Sequence, residues 1–236
     1  MINHSCIGNT HRAFLGDMTV VRASRDIANG TEIFLPYRLP DQFDVQALHD
    51  TIQKQWGFDC RCSICVSHLD PAGNPSKRVQ VLREVKASTE ATTLTQTKPA
   101  TTAEIQQGES LFQKVEQSYD FPIFSPGVSR IGYLTIGLWL IRAYATNNSP
   151  RKMSKIGEKV SHALGYVMKG SGRTASIDRT NGFCHPELAE LVAYMANAKE
   201  FFGGPSAKVL MDFARETWLL VHGDTEGFEK RYGSGS

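Results

Sequence analysis

The spacing of the cysteines constrains the fold of this chain more than any other sequence feature. Cys60, Cys62 and Cys65 form the pattern C-x-C-x-x-C, whereas the other two cysteines lie far away in the chain. Three thiols at this spacing cannot all pair with one another in disulfides, but they can converge on one metal ion. A structural zinc ion takes four ligands in a tetrahedron and favours thiolates. The triplet therefore predicts a zinc site that needs a fourth ligand.

Several residues outside the triplet are candidates for that fourth ligand, and spacing alone does not choose among them. They are Cys6, His4, His11, His68 and Cys184. The N-terminus has neither the basic region nor the apolar run of a secretory signal, so we expect thiols or metal ligands rather than disulfides. Cys184 precedes His185, but catalytic pairs meet in space rather than in sequence, and we interpret Cys184 as structural.

Composition narrows the classes of protein that fit. The chain has 236 residues, of which 41% are hydrophobic, so it can bury a sizeable core. A net charge of +2 gives no direct signal for nucleic acid. No apolar run approaches the ~20 residues of a membrane span. We therefore expect no nucleic-acid or membrane partner, and a location in the nucleus, the cytoplasm or both.

The sequence divides into three regions. Residues 1–66 combine the β-branched runs 18–23 and 31–35 with a predicted helix over 41–55 and the cysteine triplet. A turn signal, Asn29-Gly30, precedes the second run. Residues 67–102 are predicted to be a loop or linker, because 88–102 contains seven threonines and almost no large apolar residue. We expect that threonine-rich stretch to be mobile.

Residues 103–232 follow a helical periodicity. Five amphipathic or apolar segments with short connections predict antiparallel helices in a bundle or a TPR-like array. The predicted fold class is therefore α+β, with a small β-rich, zinc-bound module followed by an all-α domain. The helical domain is the surface where we expect a protein substrate or partner to bind.

Three motifs follow one another in the first region. The first is Asn3-His4-Ser5-Cys6-x-x-Asn9, the second runs from Arg25 through Gly30-x-Glu32-Ile33 to Tyr37, and the third is Gly57-Phe58-x-Cys60-x-Cys62-x-x-Cys65. In order and spacing they resemble the SET-domain methyltransferases with a post-SET cysteine module. The best match is the subfamily of SET- and MYND-domain lysine methyltransferases and their fungal relatives, which carries a helical C-terminal domain.

This resemblance implies a role for each matching position. Tyr37 would be the active-site tyrosine, with its hydroxyl directed at the sulfonium of S-adenosylmethionine and at the substrate amine. Asn3 would hold the methionine part of that cofactor, His4 would contribute mainly through its backbone near the adenine, and Phe58 would pack beside the adenine. The structural zinc would be held by four thiolates, those of Cys6, Cys60, Cys62 and Cys65.

Two departures from the family bear on activity. Family members carry a large segment before the Asn-His motif, including a glycine-containing cofactor loop, whereas this motif stands at residue 3 here. The resemblance therefore covers only the C-terminal part of the SET core, and we expect the isolated chain to lack a complete cofactor site. In addition, Gly8 stands where the family commonly has proline.

Two hypotheses about function follow from these motifs and departures. The first is the C-terminal portion of a SET-type, S-adenosylmethionine-dependent protein-lysine methyltransferase. The alternative is a truncated SET relative that no longer methylates. Such a relative would act as a binding or scaffold module, or as a repurposed small-molecule enzyme of secondary metabolism.

Overall fold

A computed structural model describes residues 2–40, 43–92, 99–124, 127–170, 174–201 and 206–232. Small sheets occupy the N-terminal region and helices occupy most of the rest, so the predicted α+β class is confirmed. Within those ranges no helix is both long and apolar enough to cross a bilayer.

Two small sheets form the N-terminal module. Strand β1 (Asn3–His4) pairs in parallel with β4 (Phe34–Leu35), and β2 (Thr10–Leu15) pairs antiparallel with β3 (Met18–Ala23). The predicted turn at Asn29-Gly30 forms, with the Thr31 N–H donating to Ala28 O over 3.1 Å. However, it does not join a hairpin, and only the last two residues of the predicted run 31–35 form a strand.

The side chain of Asn9 connects the loop between β1 and β2 to the segment that enters β4. Its Nδ2 donates to the backbone oxygen of Glu32 over 2.9 Å, and its Oδ1 accepts from the Phe34 N–H over 2.8 Å. The parallel ladder between β1 and β4 is only two residues long, so it has few backbone hydrogen bonds. The buried amide of Asn9 adds two hydrogen bonds that hold the neighbouring backbone in place. The pairing of β1 with β4 places the Asn-His motif beside the segment that leads to Tyr37.

Two helices carry the sequence towards and through the cysteine triplet. Helix α1 (Val45–Trp56) begins after Asp44, whose side chain accepts from the Ala47 N–H, and ends at Gly57. Gly57 has φ 74°, the left-handed region that glycine enters without strain. Helix α2 (Ser63–Leu69) carries the last cysteine of the triplet.

Part of the segment 67–102, the predicted loop or linker, is helical. Helix α3 (Pro75–Ala91) starts with proline in its first turn and buries Val81, Leu82 and Val85. Three apolar residues at helical spacing give this segment a face to pack, which outweighs its polar composition. The threonine-rich stretch from 93 to 98 lies outside the described residues. The next helix then starts in a capping box between Thr101 and Glu104.

The helical region forms an array in which consecutive helices pack against one another. Helix α4 packs on α5, α5 on α6, α6 on α7, and α7 on α8, and α8 also contacts β2. Within the described ranges, α9 and the short hairpin β5–β6 add to the five predicted helices. The bounds are α4 (Thr102–Ser118), α5 (Tyr133–Thr146), α6 (Pro150–Ala163), β5 (Val167–Lys169), β6 (Ser176–Asp178), α7 (Leu188–Phe201), α8 (Ser206–His222) and α9 (Glu226–Tyr232).

Buried Arg78 joins the N-terminal module to the helical array. It is 2% exposed, and its guanidinium lies over the rings of Tyr119 and Phe124, 5.1 and 4.6 Å from their centroids. It donates hydrogen bonds of 2.7 to 3.2 Å to the backbone oxygens of His68, Gly73 and Ser118. These three oxygens lie at the end of α2, in the following turn and at the end of α4, so one side chain fixes their relative positions.

Candidate metal centre and its aromatic face

Four cysteine sulfurs converge at one point in the N-terminal module. The Sγ of Cys6 lies 3.9 Å from that of Cys60 and 3.6 Å from that of Cys65, and the ligand atoms of Cys6 and the triplet all lie within 4.8 Å of one another. Four thiolates at a Zn–S distance of about 2.3 Å in a tetrahedron are separated by about 3.8 Å. The two measured distances match that separation, and the four sulfurs are close enough together to hold one metal ion. We call the four residues the cysteine centre.

Burial and mutual hydrogen bonding make these sulfurs unlike free thiols. Cys6 is 0% and Cys65 is 1% exposed. Hydrogen bonding with Cys6 lowers the pKa of Cys60 and lowers the pKa of Cys62 to about 6, while bonding with Cys60 raises the pKa of Cys6. The pKa of each thiol in the cluster therefore depends on its neighbours. Binding of a metal ion would displace the remaining protons, so metal affinity would increase with pH.

Of the five candidates for the fourth ligand, the structure brings only Cys6 into the centre. His68 is buried elsewhere and its Nε2 bonds to Ser129 O over 3.1 Å, while His11 Nδ1 bonds to Arg12 O over 3.1 Å. Cys184 lies among the buried residues of the helical region, where burial raises its pKa to about 12. A thiol with that pKa stays protonated at neutral pH, in agreement with a structural role.

The remaining candidate, His4, lies beside the centre and contacts it. Its Nε2 is 3.4 Å from Cys6 Sγ, a hydrogen-bond distance to sulfur, and it is not among the four ligand atoms that cluster within 4.8 Å of one another. Its Nδ1 accepts the backbone N–H of Tyr37 over 3.0 Å. The imidazole ring therefore lies between the cysteine centre and the predicted active-site tyrosine.

An aromatic face is built around this ring. The centroid of His4 lies 5.1 Å from that of Tyr37 and 5.8 Å from that of Phe58, and the centroid of Tyr37 lies 5.4 Å from that of Trp56. Three separate segments contribute: the strand β1, the residues after β4, and the end of α1 with the residues that follow it. We call these four residues the aromatic face.

The Tyr37 hydroxyl has a fixed direction. It donates to the backbone oxygen of Ile2 over 2.7 Å. Since the proton of the hydroxyl is used in this bond, its oxygen retains lone pairs that can accept from a donor or face a positive centre. The hydroxyl of Tyr37 and the carbonyl of Ile2 thus form a pair of neighbouring oxygens on the aromatic face.

Asn3 is exposed and its amide orientation follows from its partner. Its Nδ2 lies 2.7 Å from Oε1 of Glu32. An ionised carboxylate can only accept, so the amide must present its NH₂ group to Glu32 and its oxygen elsewhere. Asn3 therefore offers its oxygen as an acceptor and the second N–H of its amide as a donor, so it can pair with an ammonium group or with a carboxylate.

Sequence reasoning missed three residues that the structure places at this site. Trp56 at the end of α1 is 41% exposed, and its ring contacts Tyr37. Glu32 and Ile2 act through a carboxylate and a backbone oxygen. The position of Trp56 two residues before Phe58 is a signal that could have found it, because Gly57 turns the chain there.

Comparison with known proteins gives the family of this region. Residues 1–38 match the model of the SET domain. The N-terminal segment is therefore similar to SET domains. The resemblance to the SET- and MYND-domain methyltransferases is thereby confirmed. The matched range ends one residue after Tyr37, so it contains β1 to β4 and Cys6, the first residue of the cysteine centre.

Curated relatives match over a similar stretch. A protein of Gibberella zeae named "Methyltransferase" is 45% identical over 65 residues, and mouse and human "Protein-lysine N-methyltransferase SMYD4" are 38% and 32% identical over 66 and 68 residues. Each alignment covers 28% of this chain and 9%, 8% and 8% of the relative, respectively. The aligned part of this chain thus spans less than a tenth of the length of these relatives.

Proposed function

We propose that this chain is the C-terminal portion of a SET-type, S-adenosylmethionine-dependent protein-lysine methyltransferase. The observation that carries the proposal is the convergence of His4, Tyr37 and Phe58, which are distant in sequence, on one face beside the cysteine centre. The SET match and the lysine methyltransferases among the relatives support the same activity.

The cysteine centre would hold a structural zinc ion. Its donor set is four sulfurs with tetrahedral spacing, the arrangement that closed structural zinc sites favour. With four protein ligands there is no open position for water or substrate, so this ion would fasten Cys6 of the first motif to the triplet. Its role would be to hold the aromatic face in shape.

The aromatic face would form one wall of the cofactor and lysine site. Bound S-adenosylmethionine would supply a methyl group that carries partial positive charge on a sulfonium. The oxygens of Tyr37 and Ile2 would face that charge with their lone pairs, and the Asn3 oxygen would accept from an ammonium group. The rings of Phe58 and His4 would offer flat apolar surface for a base. Tyr37 would also orient the lysine amine, because methyl transfer depends on alignment of the reacting atoms.

A segment exchange tests this proposal without depending on the rest of the chain. The 66 residues of mouse SMYD4 that match this chain are replaced by the corresponding residues of this chain. We expect the chimera to bind zinc and to transfer methyl groups to the protein that its parent methylates. Tyr37→Phe in the chimera should lower turnover about a hundredfold, the order seen when one positioned oxygen group is removed.

The matched control for the chimera is Thr19→Val, which removes an exposed hydroxyl from β3 and should leave turnover unchanged. Two results would contradict the proposal: a folded, zinc-loaded chimera without transfer beside an active parent, or full transfer by the Tyr37→Phe form.

One observation favours a second candidate, a SET relative that binds without transferring. The described part of the aromatic face is open on one side, with Asn3 and Trp56 exposed to solvent. Methyl transfer relies on excluding water from the reacting atoms. Calorimetric titration of the 236-residue chain with S-adenosylmethionine, combined with the chimera assay, distinguishes the two candidates. Heat of binding to the chain, together with a chimera that does not methylate although its parent does, favours the binding module.

A further inference from the structure

His4 links the cysteine centre to Tyr37 through both nitrogens of its ring. Its Nδ1 lies 3.0 Å from the backbone nitrogen of Tyr37, and its Nε2 lies 3.4 Å from Cys6 Sγ. A backbone N–H can only donate, so Nδ1 must be the acceptor and carries no proton. The proton of the neutral imidazole is therefore on Nε2 and points at the sulfur. The ring donates to Cys6 and accepts from Tyr37 at the same time.

Tyr37 needs this contact because it lies beyond the end of a strand. The ladder between β1 and β4 ends with the pair His4 and Leu35, and Ser5 N–H donates to Leu35 O over 3.4 Å. The Tyr37 N–H thus bonds to a side chain at the point where the ladder stops. On its other side, the backbone oxygen of Tyr37 accepts from exposed Arg12 over 3.3 Å, a longer contact than the bond to His4.

We propose that the His4 side chain is a positioning residue that transmits the state of the cysteine centre to Tyr37. A metal-bound thiolate at Cys6 is a better acceptor for the Nε2–H than a thiol, so metal binding fixes the imidazole ring. The fixed ring then holds the Tyr37 backbone through Nδ1, and the hydroxyl reaches Ile2 O from that backbone position. This role lies in the ring and is distinct from the backbone role near the adenine that the family resemblance implies.

The consequence for catalysis rests on the proposed function, but the coupling itself does not. Loss of metal would release the ring, and the Tyr37 backbone would lose the restraint nearest to its own N–H. A shift of about 1 Å in a positioned group is enough to lower a rate substantially. The metal centre would therefore control the geometry of Tyr37 although it takes no part in chemistry.

Two substitutions separate the two hydrogen bonds of the ring. Gln in His4→Gln places an amide near the Nε2 position, so it keeps a donor to sulfur but loses the acceptor for Tyr37. Asn in His4→Asn places an amide near the Nδ1 position, so it keeps an acceptor for Tyr37 but does not reach Cys6. His162→Gln, at an exposed position of α6, is the matched control because it changes a histidine outside the module.

The readouts are the Tyr37 amide and the metal spectrum of the 236-residue chain. Labelling with ¹⁵N-tyrosine gives seven amide signals, and Tyr37→Phe identifies the one from Tyr37. Substitution of cobalt(II) for zinc gives a sulfur-to-metal charge-transfer band, whose energy decreases when a hydrogen bond to sulfur is lost. Neither readout requires S-adenosylmethionine or a substrate.

In the unmodified chain we expect chelation of the metal to move the Tyr37 signal and to raise its exchange rate about five- to tenfold, the effect of one hydrogen bond. His4→Gln should show that faster exchange even with metal bound, while its cobalt band stays close to that of the unmodified chain. His4→Asn should shift the band to lower energy, and its Tyr37 signal should no longer follow the metal. His162→Gln should behave as the unmodified chain does.

The proposal is overturned if the Tyr37 signal follows the metal equally in all four proteins. It is also overturned if either variant at position 4 fails to bind metal, because His4 is given no ligand role. An inactive chimera whose Tyr37 amide still responds to the metal would overturn the proposed function alone, so the two failures are distinguishable.

Discussion

The N-terminal module and the helical array are held together in different ways. The module has two-stranded sheets, polar fastenings such as Asn9 and a cluster of four cysteines. The array is built on an apolar core in which residues such as Leu134, Leu140 and Val160 are fully buried, and this core reaches α1 and α2 of the N-terminal region. Packed aliphatic side chains stabilise a fold without help, whereas small sheets with few buried residues need a metal or another fastening. The candidate site therefore lies in the N-terminal module, the region whose stability depends most on a bound metal ion.

The largest expected effect is loss of the metal from the module. Cys65→Ser replaces a buried sulfur by a weaker ligand, and binding of structural zinc is worth on the order of 10 kcal/mol in small modules. We expect the chain to lose its one zinc ion, measured by metal analysis after gel filtration, and to unfold its module first on heating. Cys184→Ala, which removes the cysteine outside the centre, should keep the metal. Retention of one zinc ion by Cys65→Ser would contradict the claim that the module depends on a metal held by all four cysteines.

The second prediction concerns the joint between the two regions. Arg78→Met removes hydrogen bonds to three buried backbone oxygens, and at about 1 kcal/mol each the free energy of unfolding should decrease by about 3 kcal/mol. Because these bonds cross between the module and the array, thermal unfolding should separate into two steps. Arg83→Met is the control: Arg83 is exposed, pairs with Asp44 at 3.8 Å, and should change stability by less than about 1 kcal/mol. A single thermal unfolding transition in Arg78→Met, at the temperature of the unmodified chain, would show that Arg78 does not hold the two regions together.

The third prediction concerns packing inside the array. A Cβ at Gly137 on α5 would overlap the side chain of Val160 on α6. Gly137→Ala should therefore destabilise the array by about 1–3 kcal/mol in urea unfolding. The double variant with Val160→Ala should recover part of that loss, since the overlap is relieved. Zinc affinity should not change in either protein; a change in zinc affinity would mean that the array and the centre are not independent.

The smallest expected effect is a pH dependence that arises outside the cysteine centre. Burial lowers the pKa of His68 to about 3, below the value near 6.5 of an exposed histidine. Below pH ~6.5 the unfolded chain binds a proton that the folded chain does not, so stability is greatest above that pH and falls as pH decreases towards 3. The slope is at most about 1.4 kcal/mol per pH unit.

His68→Gln should remove this part of the pH dependence while keeping a donor to Ser129 O. The urea midpoints of the two proteins, compared between pH 7 and 5, measure the difference. Identical slopes of stability against pH in the two proteins would show that folding does not disfavour protonation of His68.

The sequence predicted the α+β class and the convergence of Cys6 with the triplet, while the roles of Asn3, His4, Tyr37 and Phe58 stay predictions. The triplet and the Asn-His motif identified the cysteine centre, because metal-ligand spacing and family motifs are local signals. The helices from α4 to α8 followed from their apolar periodicity. The division into a module, a linker and a helical domain stays a prediction.

What the sequence did not predict depends on contacts between distant segments. The apolar face of α3 is visible in its spacing, but its packing against α4 and α5 is not. The hairpin β5–β6 has three-residue strands, too short for an alternating pattern. Arg78 is an ordinary charged residue in sequence, and only the fold surrounds it with three carbonyl groups and two rings.

Regional hydrogen exchange with and without zinc tests the account most directly. The chain is compared in its zinc-loaded form and after chelation, and exchange is followed for peptides across the described residues by mass spectrometry. The account predicts that chelation removes protection over residues 2–66, including the segment around Tyr37, while α5, α6 and α7 stay protected. Equal protection of residues 2–66 in both forms would show that the module holds its shape without metal, and would contradict the account.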